Sequence, residues 1–168
     1  MRKGGNNSMN GNPTKKTAGF TIIEVVLVLA IAGLIFLIVF LAVPALQKGT
    51  RDTQRRQDIG RMMSQIASYQ ANNNGQVPQA TTTDLNNFKN RYLTANGTEI
   101  FRDPLTGQDY NLLVGGGTVP ANPSFGDIYY YVGYKCNGES LTTAGAGQRS
   151  VAVMTPLERG GLFCQDNK

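Results

Sequence analysis

From Val25 to Val43 the chain has 19 consecutive residues without a charge or a strongly polar side chain, and the apolar run reaches Leu46. That is close to the ~20 residues a helix needs to cross ~30 Å of hydrocarbon, so the segment is expected to span a membrane. One carboxylate, Glu24, stands a turn inside the helix that this run begins. An acid in hydrocarbon is expensive and by default marks a function and a partner. Before the run lie Arg2, Lys3, Lys15 and Lys16, with no acid among them. Those charges hold the N-terminus on the cytoplasmic side and put the C-terminal part outside.

Residues 1–19 are polar and rich in Gly and Asn. They lack the apolar core that a conventional secretory signal carries before its cleavage site. The apolar part lies after the junction instead, in Lys15-Lys16-Thr17-Ala18-Gly19-Phe20-Thr21-Ile22-Ile23-Glu24-Val25. This stretch resembles the class III signal of type IV prepilins and their pseudopilin relatives: a basic leader ending in Gly, then Phe, then Thr, with Glu fifth after the cut. The resemblance covers about the first third of the chain. It implies cleavage between Gly19 and Phe20 by a prepilin peptidase, N-methylation of Phe20, and a role for Glu24 in subunit assembly. It further implies a helical homo-oligomeric filament built on an assembly platform with minor pilins. The precursor is expected in the cytoplasmic membrane and the mature subunit at the cell surface.

The expected organisation is a cleaved leader over 1–19, a membrane and polymerisation helix over 20–46, its amphipathic continuation over 47–73, and an extracytoplasmic head over 74–168. Ile59, Met62, Met63, Ile66, Ala67 and Gln70 fall on one helical stripe, whose apolar part should face the head. Asp52 with Arg55 and Arg56, and Asp58 with Arg61, stand at i+3 or i+4 spacing. They read as a solvated helix face, with pairing between subunits as the alternative. Gly33, Pro44, Gly49 and Gly60 interrupt the helix, and Pro44 removes a backbone donor, so the helix can bend or unwind locally. Asn72-Asn73-Asn74-Gly75 followed by Pro78 is a stop.

In the head, Thr81 to Asp84 offers N-caps for a short helix to about Leu93, and strands are expected over 110–114, 128–134, 150–155 and 162–165. The sheet is expected to be antiparallel and to cover the helix stripe, giving an α+β, pilin-like fold. Cys136 and Cys164 resemble the disulfide-bounded C-terminal region of many type IV pilins. Two cysteines on the exported side of a membrane favour a bridge, against the alternative of two buried thiols.

Other chemistries find little here. The leader holds four of the 16 basic residues and none of the 11 acidic ones, leaving 12 against 11 and a mature balance of only +1. Overall charge therefore gives no argument for a nucleic-acid partner. There is no His for a Ser/His or Cys/His arrangement, and no zinc spacing. Gly115-Gly116-Gly117 lacks the Gly-Lys-Ser/Thr of a phosphate loop. Asp103 and Asp109 could be read as calcium ligands, but turn chemistry accounts for them. No metal, cofactor or enzymatic activity is expected. The leading reading is a structural pilin serving attachment, twitching motility or DNA uptake. The rivals are a minor pilin or pseudopilin of a secretion or competence system, and a signal-anchored binding module that never polymerises.

Overall fold

The computed structural model describes residues 19–145 and 149–167. Residues 1–18, with the basic charges of Arg2, Lys3, Lys15 and Lys16, lie outside the described residues. The chain divides into two compact units, Met1–Leu41 and Ala42–Lys168. A single helix, α1, is assigned over Ile22–Asn72.

The described part of the first unit is the start of α1. Its sequence is rich in Val and Ile, residues that favour strands in water. In hydrocarbon every backbone polar group must be satisfied within the segment, and only a helix does this alone. The most apolar 18-residue window of α1 is long and apolar enough for a membrane, and none of it is buried.

In the second unit α1 continues through Pro44 without ending there. Its buried residues are Asp52, Arg55, Ile59, Met62, Met63 and Ile66, a stripe with the 3–4 spacing of one helix face. Ala67 is exposed and Gln70 half-buried, so the expected stripe closes at Ile66. The helix stops where Asn74 and Gly75 turn left-handed, at φ 52° and 75°. The Gly75 N–H then donates to Gln70 O at 2.8 Å, the closing bond of a Schellman turn.

Thr81 caps α2 (Thr82–Phe88): its hydroxyl accepts from the Asp84 N–H at 3.1 Å. A π-helical turn over Lys89–Leu93 finishes the expected helix, and Leu85, Phe88 and Leu93 are buried. Six strands follow: β1 (Asn111–Val114), β2 (Asp127–Val132), β3 (Tyr134–Asn137), β4 (Ser140–Thr143), β5 (Val151–Pro156) and β6 (Leu162–Asp166). One sheet has the order β1-β2-β5-β6, and β3-β4 forms a second.

Two details depart from the sequence reading. The pairings β2–β5, β5–β6 and β3–β4 are antiparallel, but β1 runs parallel to β2. The β1–β2 connection, 115–126, is a crossover of about a dozen residues, the length a parallel pair needs and a hairpin does not. The strand expected over 128–134 ends at Val132, because Gly133 takes φ 81° and redirects the chain into β3. The β3–β4 hairpin has Gly138 first in its two-residue loop at φ 63°, which suits a type II′ turn.

Strand β5 is buried at every position because both faces of the sheet are covered. Val151 and Val153 join the cluster that holds Ile59, Met62 and Ile66 of α1. Ala152 and Met154 face the other way, against Tyr131, Tyr134 and Leu141. Each fully buried large apolar side chain contributes roughly 1.5–3 kcal/mol.

Candidate assembly segment and the buried ion network

The first site is the start of α1. Phe20 is 89% exposed and Glu24 is exposed. Glu24 Oε2 accepts from the Thr21 N–H and the Thr21 hydroxyl, each at 2.8 Å. The Glu24 N–H in turn donates to Thr21 Oγ1 at 3.4 Å. This reciprocal arrangement is a capping box, and its sequence mark is a Thr followed three residues later by Glu before an apolar run. That local role was missed in reading the sequence. Glu24 Oε1 makes no hydrogen bond to any described residue.

The second site lies in the Ala42–Lys168 unit. Arg55 is fully buried. Its Nε donates to Asp103 Oδ2 at 2.6 Å and its Nη2 to Asp103 Oδ1 at 3.2 Å, a two-pronged contact. Its Nη1 donates to Asp52 Oδ1 at 3.0 Å and to Glu158 Oε1 at 2.9 Å. The Phe125 ring lies 5.0 Å from the guanidinium carbon. Arg51 grips Glu158 through Nε and Nη2, both at 2.7 Å. Asp52 also accepts the backbone N–H of Glu158 at 2.8 Å and of Arg159 at 3.1 Å, which ties the β5–β6 turn to the helix.

Burial pushes the Asp103 carboxyl up, but the Arg55 hydrogen bond, the N–H groups of Thr106 and Leu105 and the Arg55 charge outweigh it and hold it below the ordinary range. The Arg51 hydrogen bond, aided by Arg55, holds Glu158 down against its own desolvation. Asp58 goes the other way: burial raises it, only partly offset by the Tyr110 hydroxyl, which donates at 3.0 Å, and by Arg61.

These geometries correct the solvated-face reading of the helix charges. Asp52 and Arg55 belong to the core stripe. Arg61 donates to Leu93 O, to Glu99 and, at 2.9 Å, to Ile100 O. Asp103 is committed to Arg55, and Asp109 to Arg102 at 2.8 Å, so the two acids serve separate partners.

Cys136 of β3 and Cys164 of β6 form a disulfide with their Cα atoms 5.8 Å apart. It anchors the β3–β4 hairpin to the sheet, beside the Cys136 N–H that donates to Asp166 Oδ2 at 2.7 Å.

A family model described as the prokaryotic N-terminal methylation motif matches residues 14–40. This motif is a class III signal peptide, characteristic of type IV pilins and pseudopilins, and it supports membership of that class for a chain whose long helix and α+β head are pilin-like. It implies processing by prepilin peptidase, assembly with pilus machinery and a membrane-anchored precursor. No curated protein and no solved structure gave a significant match.

Proposed function

We propose that the protein is a structural, non-catalytic subunit of an extracellular type IV pilus. It is cut between Gly19 and Phe20, N-methylated on Phe20, and assembled through its N-terminal helix into a homopolymeric filament. The observation that carries this reading is an uncovered apolar helix that opens with Phe20-Thr21-Ile22-Ile23-Glu24. Such a surface is unstable in water, at about 25 cal/mol per Å². Lipid covers it before assembly, and the helices of other copies cover it afterwards.

Glu24 supplies the register. A carboxylate in hydrocarbon costs a few kcal/mol on insertion scales, so an anchor alone would gain from Leu at this position. Cleavage frees a positive amine on Phe20, and the Glu24 of a neighbouring copy meets it in a low-dielectric core, where the pair attracts strongly.

The capping box provides the means of separating this role from a local one. Gln also completes a capping box but carries no charge. Glu24→Gln is therefore expected to leave cleavage and the folded head intact while abolishing or sharply reducing filaments counted by electron microscopy. Wild-type numbers of fibres containing the variant would reduce Glu24 to a helix cap. Gly19→Val is expected to leave the precursor uncut in the membrane. Intact-mass measurement of assembled material should give a chain beginning with N-methyl-Phe20, and recovery of an intact Met1 leader there would sink the reading.

A further inference from the structure

Beyond assembly, we infer that the head carries a binding site for an uncharged saccharide. Where α1 stops, a groove of 860 Å³ opens between the helix terminus and the loop that follows. That volume is within the range of small-ligand pockets. No charged side chain lines it. Its walls carry the carboxamides of Asn72, Asn73, Asn74, Gln76 and Gln79, beside the apolar surfaces of Ala80 and the half-buried Val132, with Val77 and Pro78 buried beneath.

The chemistry of this lining selects its ligand. Each carboxamide offers two donors and an acceptor, which suits the adjacent hydroxyls of a sugar, while apolar surface suits the C–H face of the ring. The side chains of Asn72, Asn74, Gln76 and Gln79 make no hydrogen bond to any described residue, so they are available. Asn73 is spent on position: its Nδ2 donates to Tyr69 O at 2.8 Å. Tyr69 also lines the groove. Edge contacts to Phe88 at 5.9 Å and to Tyr92 at 5.5 Å fix its ring before any ligand arrives.

The lining side chains are uncharged and one cation stands beside them, the Arg149 guanidinium against Gly75, fewer than phosphates, nucleic acid or acidic peptides would seek. A neutral peptide would pair with backbone groups, and part of the backbone here is already engaged. Gly75 N–H goes to Gln70 O, Gln76 N–H to Asn73 O and Thr81 N–H to Gln79 O, while Pro78 O accepts the Tyr130 hydroxyl at 2.7 Å.

The test uses the full processed chain in a detergent without a sugar headgroup, and saturation-transfer NMR with lactose, maltose and chitobiose at millimolar concentration. At least one is expected to receive saturation. The double variant Asn72→Ala/Gln79→Ala should bind that sugar roughly tenfold more weakly, the equivalent of about one or two hydrogen bonds. Asn86→Ala, on α2 outside the groove, should bind it as the parent does. If the double variant lowers the melting temperature, Gln79→Ala alone carries the comparison, with a several-fold loss expected. No transfer from any of the three sugars, transfer undiminished in the variants, or transfer only to a neutral Gly-Ser-Asn peptide would each overturn the assignment. Filament formation is a separate readout, so failure here leaves the pilin reading untouched.

Discussion

The two ends of α1 invert the usual rule for what is inside. Toward its start, large apolar side chains are uncovered, with Phe40 77% and Leu41 73% exposed. Toward its end, a guanidinium is buried and sits among three carboxylates. The apolar end follows from its solvent, since in lipid there is no reason to hide Leu or Phe. The charged end follows from connectivity. Arg55 draws together the helix, the Asp103 turn and the β5–β6 turn. The first end leaves its apolar surface uncovered, and the second spends its polarity within the head.

Breaking that network at its centre should have the largest effect. Arg55→Ala would leave Asp103, Asp52 and Glu158 without their shared cation, and stranding buried charge typically costs about 3–5 kcal/mol. We expect the head to melt far below the parent in a thermal unfolding scan of the detergent-solubilised protein. Loss of 1 kcal/mol or less would mean that water reaches the carboxylates. Glu24→Gln should leave the same scan unmoved, which separates the two ends directly.

Removing the Cys136–Cys164 bridge comes next. It closes a loop with a sequence separation of 28. Cross-linking a loop of that size stabilises by roughly 3–4 kcal/mol in the chain-entropy model. Cys136→Ser with Cys164→Ser should lower the denaturant midpoint by a corresponding amount. Proteolysis should then open the β3–β4 hairpin first, since the bridge fastens it to β6.

Acid should act on the head selectively. Asp103 and Glu158 are held below their ordinary values, so their contribution is present above the unfolded carboxylate range of about 4 and is lost as pH falls through their folded values. Asp58 has a raised value, so its ionisation opposes folding above that value, and its protonation on the way down offsets part of the loss. Stability measured by urea unfolding should therefore hold from neutrality down to about pH 5 and then decline steeply. A flat profile to pH 3 would show that the network's charges add nothing.

Much of this was legible in the sequence, for reasons that differ by region. The span over Val25–Val43 is a one-dimensional property, a count of apolar residues against a fixed thickness. The stripe from Ile59 to Ile66 is nearly as simple. Extending it backward at the same spacing reaches Arg55 and Asp52, yet charged residues at i+3 are ordinarily solvated, and their partners lie 48 and 103 residues from Arg55. Nothing local announces such pairs. The parallel β1–β2 pairing was hidden for a similar reason, because direction is set by the path of the 115–126 crossover. The β3–β4 hairpin did have a local sign in Asn137-Gly138, and it was passed over because the aromatic run Tyr129–Tyr134 reads as one strand.

The smallest expected effect gives the finest measure of polarity inside the head. Tyr110 is buried, and its hydroxyl donates to Asp58 on the neighbouring helix at 3.0 Å. Burial, and then the Asp58 charge, raise the Tyr110 hydroxyl well above its ordinary value, so it stays a donor throughout the working range. Tyr110→Phe keeps the ring against Phe101, whose centroid is 4.8 Å away, and removes only the hydroxyl. Hydrogen bonds to a charged group contribute about 1.5–3 kcal/mol, and neutral ones about 1. The variant should therefore lose about 1.5–2 kcal/mol at neutral pH, the lower part of that charged range. Because the hydroxyl is one of the groups that keep Asp58 from rising further, the Asp58 carboxyl should titrate higher in the variant. As pH falls and Asp58 takes up its proton, the lost bond becomes one to a neutral acid, and the gap between variant and parent should narrow. A gap that stays constant down to the acid transition would mean that Asp58 is already neutral in the folded head.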